Sequence, residues 1–410
     1  MSYTQPASPL RPHGLEEEPS DSTTRRLHSL LPESWQRGFP RAGLFKALSD
    51  GAVCMAALAM PHHAPRFLRL GAAQTSHNYG PGSEYRVHVI DMWATAGGTP
   101  SAAEEDTNEG NSSKSSNSSG PATQYDDVLV FVHGGAWGSG KPWMYRLTAA
   151  GLAQRLRARY AVIVQYPVYP ASSILEQRDC VCAALRFLRS GTWLAQEGVV
   201  VRAQTNSGAG GSQAQKRGVG RLLLAGHSSG ANICALALLQ AAQAGRRVAD
   251  IFISLSGVFD VEAHYAWERS RGVHLLSPMG AAAGHESRHW ECSPTLLLQR
   301  SPAPAPGSAS GSGGNVRAFF PTTLLLHGTQ DTTVPVTSSH DMAAQLARHQ
   351  VRCVTAFPEV AHVHPVLELM QEWREGYPAS ASGGPCCDAL LLWHQRLLCR
   401  SSGVQFQAKL

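Results

Sequence analysis

This 410-residue chain has no block of Lys and Arg and no C-x-x-C. It also lacks any apolar run near the ~20 residues needed to span a bilayer. Each absence removes a class. A formal charge of +5, spread along the sequence, excludes a basic nucleic-acid-binding surface. The apolar stretch 52–60 is too short for a membrane span, so contact with a membrane surface stays open but a crossing does not. The nine cysteines show no framework spacing: Cys180-Val181-Cys182 and Cys386-Cys387 fit neither a zinc site nor a dithiol redox motif. They read as buried thiols in a reducing compartment. The eighteen histidines are many, but we expect neither a metal nor any other cofactor.

The ends of the chain carry address information. Glu16-Glu17-Glu18 and Asp21, with no early apolar core, speak against a signal or transit peptide, and the expected location is the cytoplasm. The final Ala408-Lys409-Leu410 differs by one residue from the Ser-Lys-Leu peroxisomal address, which keeps import into such an organelle as a second reading.

What is present is a rhythm. Residues 85–91 alternate as a half-buried strand, and 128–132, 161–164, 222–225, 251–255, 323–326 and 353–357 are short continuous apolar runs. Such runs suit strands covered on both faces. Helical patterns at 145–156, 174–188, 231–244 and 338–348 fall between them, which predicts a parallel α/β sheet with right-handed crossovers. Residues 1–40 read as a disordered extension, 41–78 as an N-terminal helical segment, 79–400 as one catalytic domain and 401–410 as a flexible tail. Segments 101–122, 203–218, 302–315 and 379–385, rich in small, polar or proline residues, fall between core elements. They read as surface insertions, not domain linkers.

Chemistry enters at Gly226-His227-Ser228-Ser229-Gly230, between an apolar strand and a helical pattern. A G-x-S-x-G placed there is the sequence form of a nucleophile elbow, a turn so sharp that flanking side chains would clash. A serine hydroxyl needs an adjacent base, the base needs an orienting carboxylate, and the oxyanion needs preformed N–H donors. His133-Gly134-Gly135-Ala136-Trp137 follows the strand ending at Val132 and supplies donors at Gly134 and Gly135, with Ser229 N–H as a third. The acid is Asp331, on a loop after the strand 323–326. Its rival is Asp260, which either shapes the pocket or caps a helix. The base is His362, preferred over His364 because a small residue precedes it whereas a proline follows His364. His133 and His227 are expected to shape the oxyanion loop and to pack beside the strand. Trp137 and Asp260 are the expected substrate-binding residues.

The segment from Tyr79 to Met370, insertions apart, resembles the α/β-hydrolase esterases of the isoprenylcysteine methylesterase and kynurenine formamidase type. Val132-His133-Gly134-Gly135-Ala136-Trp137 is similar to their HGGxW oxyanion motif, and His327-Gly328-x-x-Asp331-x-x-Val334-Pro335 to their acid loop. Ser254-Leu255-Ser256-Gly257-Val258-Phe259-Asp260, Arg271-Gly272-Val273-His274 and Glu291-Cys292-Ser293-Pro294 lean toward the methylesterases. The chain departs from the plant methylesterases in lacking their membrane-spanning segments, and its insertions are foreign to the family. The resemblance implies an α/β-hydrolase fold: a mostly parallel central sheet, helices on both faces and a small cap, formed here by residues 263–298. It also implies a serine carboxylic-ester hydrolase with the triad Ser228, Asp331 and His362. Its substrate would be a small, apolar ester, such as a prenylcysteine methyl ester. An arylformamidase acting on N-formylkynurenine needs the same triad and loop, so these residues do not separate the two. A catalytically inactive binding module on the same fold would have little use for all three residues.

Overall fold

The computed structural model describes residues 63–95, 124–197, 217–303, 315–372 and 384–401. The whole N-terminal extension and most of the four insertions lie outside these residues, as do the segment 41–62, with its apolar stretch 52–60, and the C-terminal tripeptide. Eight strands form one sheet in the order β1-β2-β4-β3-β5-β6-β7-β8. They are β1 (Gln74–Asn78), β2 (Arg86–Asp91), β3 (Gln124–Val132), β4 (Tyr160–Val164), β5 (Arg217–His227), β6 (Ile251–Leu255), β7 (Thr322–Leu326) and β8 (Cys353–Ala356). The pairs β1–β2 and β2–β4 are antiparallel; every other pair is parallel. The apolar runs β4 and β6 are buried at every position, as expected of strands covered on both faces.

The main helices are α1 (Ala64–Ala72), α2 (Arg146–Arg155), α3 (Ile174–Ser190), α4 (Ser229–Gln243), α5 (Val261–Ser270), α6 (Thr337–Arg348), α7 (His364–Glu372) and α8 (Pro385–Ser401). Helices α3, α4 and α6 bury Leu185, Ile233, Leu236 and Met342 against Val132, Leu224 and Leu325 on one face of the sheet. Helices α1, α2, α7 and α8 bury Leu70, Leu152, Leu369 and Leu390 against Phe131, Ala225, Leu255 and Leu326 on the other. Helix boundaries follow local chemistry. Ser173 and Glu176 close a capping box at the start of α3, and Gly191, at φ 70°, ends it in the left-handed conformation.

The structure differs from expectation at the amino-terminal side. Residues 41–78 read as helical, yet after α1 the chain turns into the edge strand β1, so the sheet begins at Gln74 rather than at Tyr79. Its sequence Gln-Thr-Ser-His-Asn has no apolar alternation to reveal it. Side chains hold it instead: Gln74 and Ser76 both reach His88 on β2 at 2.9 Å, and Thr75 and His77 bond to Glu197. Among the described residues no helix is long and apolar enough to cross a membrane. No group of three or more His, Cys, Asp or Glu among them is placed to hold a metal.

Candidate active site

The ends of β3, β5 and β7 converge on one place at the carboxyl edge of the sheet. Strand β5 stops at His227, and Ser228 adopts φ 54° and ψ −124° before α4 begins at Ser229. A positive φ on a serine is strained by about 1–3 kcal/mol, so the surroundings must fix it. They do: Ser228 N–H donates to Leu255 O at 2.9 Å, and Ala231 N–H donates to Ser228 O at 3.0 Å. The flanking glycines are sterically required. A Cβ on Gly226 would stand 2.7 Å from Ala231 N, and one on Gly230 would stand 2.3 Å from Val132 O.

Three of the residues singled out from the sequence form one hydrogen-bonded chain. His362 Nε2 lies 3.1 Å from Ser228 Oγ, and His362 Nδ1 lies 2.6 Å from Asp331 Oδ2. The other carboxylate oxygen, Oδ1, accepts the N–H groups of Thr333 and Val334, both at 2.8 Å. Burial would raise the Asp331 carboxyl, but hydrogen bonds from His327 and His362 and the backbone N–H of Val334 outweigh it and hold the group well below the usual carboxylate range. It is an ionised anchor for one imidazole nitrogen.

The glycine loop after β3 abuts this chain. A Cβ on Gly134 would stand 2.7 Å from His227 O and 3.1 Å from Ser228 Cβ, so the loop backbone packs directly on the elbow. Gly135, at φ 134°, turns the loop back; its carbonyl accepts Ser139 N–H at 2.9 Å. The N–H groups of Gly134, Gly135 and Ser229 have no acceptor among the described residues. His133 donates from Nδ1 to Gly134 O at 3.0 Å and stacks on Tyr166 with ring centroids 4.4 Å apart. Burial drives its pKa down to about 4. It is a neutral strut for the loop.

Two residues expected to bind substrate are placed elsewhere. Trp137 is only 2% exposed and packs in the core; its indole N–H donates to Asn232 Oδ1 at 3.3 Å, and its carbonyl accepts Tyr169 N–H and Gln177 Nε2. A buried indole needs a hydrogen-bond partner, and meeting that need anchors the glycine loop to α4 and α3. Asp260 caps α5, accepting Ala263 N–H at 2.9 Å. His364, the rival base, is half exposed and faces Glu368 at 3.8 Å. Between β6 and β7, where a cap was expected, α5 and several short helical pieces lie. Trp267 and Leu275 sit at the surface there, and Arg300 covers the ring of Trp290 at 4.0 Å. Arg271 ties this region to the acid loop by donating to Thr332 O.

His327 opens the motif His327-Gly328-x-x-Asp331, and the sequence alone assigns it no role. It is fully buried at the end of β7, with Nε2 2.9 Å from Val334 O and 3.2 Å from Asp331 Oδ2, and Nδ1 2.7 Å from Ser339 Oγ. A histidine closing an apolar strand four residues before an aspartate was the available signal.

The chain spans about half the length of a curated relative it matches. Over 230 residues it is 26% identical to a protein of Oryza sativa subsp. japonica described as a probable isoprenylcysteine alpha-carbonyl methylesterase, covering 53% of this chain and 47% of that protein. An esterase of Pyrobaculum calidifontis superposes with a TM-score of 0.53 at 12% identity, over 92% of this chain and 98% of that one. An ester hydrolase from the metagenome of Lake Arreo gives 0.50 at 15%, over 93% and 98%. At these identities the two structures share the fold. Residues 129–365, which run from β3 through the acid loop to His362, match the family described as the alpha/beta hydrolase fold, and the chain belongs to that family.

Proposed function

We propose that this protein is a serine carboxylic-ester hydrolase with Ser228 as nucleophile, His362 as base and Asp331 as orienting acid. The observation that carries it is the unbroken chain from Ser228 Oγ through both nitrogens of His362 to Asp331. Asp331 accepts from Nδ1–H, which leaves the Nε2 lone pair facing the serine hydroxyl. Ser228 Oγ attacks the ester carbonyl as its proton passes to His362 Nε2, and the ionised Asp331 stabilises the imidazolium. The N–H groups of Gly134, Gly135 and Ser229 bind the oxyanion. Collapse of the tetrahedral adduct expels the alcohol, which takes the proton from His362. Water, deprotonated by the same nitrogen, then releases the acid and restores Ser228.

The favoured substrate is an apolar ester of the prenylcysteine methyl ester kind. The support is the rice relative, together with the resemblance of the stretches around Phe259, Gly272 and Ser293 to the methylesterases. Turnover of a farnesylcysteine methyl ester measured beside N-formylkynurenine tests this. Preference for the formamide would overturn the ester assignment and leave the triad standing. The triad has its own test: Ser228→Ala is expected to abolish hydrolysis of a short p-nitrophenyl ester and labelling by a fluorophosphonate, with an unchanged circular dichroism spectrum. Near-wild-type hydrolysis by that variant refutes the mechanism.

A further inference from the structure

The residue inside the elbow, His227, joins three pieces of this site. It is 4% exposed. Its Nε2 lies 3.2 Å from the backbone oxygen of His362, and its Nδ1 lies 3.3 Å from the hydroxyl of Tyr145. Its ring centroid is 4.9 Å from that of His362. A Cβ on Gly134 would stand 3.1 Å from Nδ1, so the glycine loop rests on the same ring.

We propose that His227 is a positioning residue, a strut between the nucleophile's turn and the loop that carries the base, which sets the separation of Ser228 and His362. The proposal rests on the reading of Ser228 and His362 as nucleophile and base. A carbonyl oxygen only accepts, so Nε2 of His227 carries the proton and donates to His362 O. Nδ1 is then the acceptor and takes the Tyr145 hydroxyl. Burial, and after it the neighbouring His362, lower the His227 pKa to about 3, so the ring is neutral near pH 7. That neutrality has a use. When His362 takes the serine proton, an imidazolium forms with its centroid 4.9 Å from the His227 ring, and a second positive charge there would oppose it. A neutral imidazole supplies the donor without the charge. The strut is one residue from the nucleophile in sequence, so a shift of the elbow carries the base with it.

The test separates this role from packing and from catalysis at large. His227→Phe keeps the ring and removes the donor; His227→Gln keeps an N–H near the position of Nε2. A misplacement of about 1 Å between reacting groups costs about 100-fold. With a p-nitrophenyl ester, His227→Phe is therefore expected to lower kcat by about 10- to 100-fold with KM little changed, and His227→Gln to recover most of that loss. Wild-type kcat in His227→Phe overturns the proposal. So does a rise in KM alone, which would place the ring in the substrate pocket, or an equal loss in both variants, which would leave only packing. If His227→Phe does not fold, nitrogen NMR of the wild-type ring decides. A proton on Nε2 across pH 5 to 8 agrees with the strut, and a proton on Nδ1 overturns it. Ser228→Ala and His362→Ala run alongside: activity in either one refutes the underlying reading, whereas two inactive controls with an unaffected His227→Phe sink the strut alone.

Discussion

Replacing Asp331 by asparagine tests the acid's orientation as well as its charge. Oδ1 is held by two backbone donors, Thr333 N–H and Val334 N–H, each at 2.8 Å. In the variant the amide carbonyl must take that place, because the alternative aims an NH2 group at two N–H groups and forfeits both bonds. The NH2 is then forced to where Oδ2 stood, 2.6 Å from His362 Nδ1 and 3.2 Å from His327 Nε2. His362 can meet a donor only by giving up its Nδ1 proton. The ring proton moves to Nε2, where a lone pair is needed to accept from Ser228. This wrong tautomer, with loss of the carboxylate's charge, is expected to lower kcat by about 10³- to 10⁴-fold, or roughly 4–5.5 kcal/mol of transition-state stabilisation. KM should stay within about a factor of three, since Asp331 lies behind the base and out of reach of substrate. Stability should fall by about 1–2 kcal/mol, because His327 Nε2 also meets the new donor. Initial rates with a p-nitrophenyl ester and urea unfolding, measured on the same preparations, check both figures. An Asp331→Asn enzyme that keeps more than about a tenth of wild-type kcat would falsify the account of the acid.

Gly134→Ala is expected to cost about 100-fold or more in kcat, since its methyl would stand 2.7 Å from the backbone oxygen of His227, an atom that cannot swing aside. A variant with wild-type rates would mean that the loop approaches the elbow less closely than the structure has it. Acid should weaken the fold earlier than carboxylate chemistry alone demands. His133 and His227 are buried neutral with pKa values lowered to about 4 and about 3, below the 6.5 of the unfolded chain. Their contribution is complete above about pH 6.5 and falls away as the pH drops toward those values, by roughly 2 kcal/mol per group at pH 5. Urea midpoints at pH 7.5 and pH 5 measure this. Equal midpoints refute it, and His227→Phe should show a smaller drop than wild type.

The central strands were legible because burial on both faces leaves continuous apolar runs, and β4, β6 and β7 lie within a residue of their expected bounds. Strand β1 was not, because an edge strand held by Gln74, Ser76 and His77 side chains carries no apolar period. At the site, the order of motifs placed Ser228, Asp331 and His362 at strand ends, and the fold brings those ends together. Trp137 misled for a reason internal to sequence reading. An aromatic beside a glycine loop looks like a pocket wall, and its partner Asn232 lies far along the chain, so only the folded molecule shows the indole turned inward. His327 acts on Asp331 through a loop that closes over four residues. Sequence gives that spacing but not the path of the loop.

The two glycines that interlock β3 with the elbow set a dimension. Gly134 meets His227 O and Gly230 meets Val132 O, so contact between main-chain atoms fixes how far the donor loop stands from the nucleophile. The segment between β6 and β7 takes no part in these two contacts, so its sequence can change without altering the spacing they set. A variant altered only in that segment is expected to keep the Gly134 loop at its present distance from Ser228.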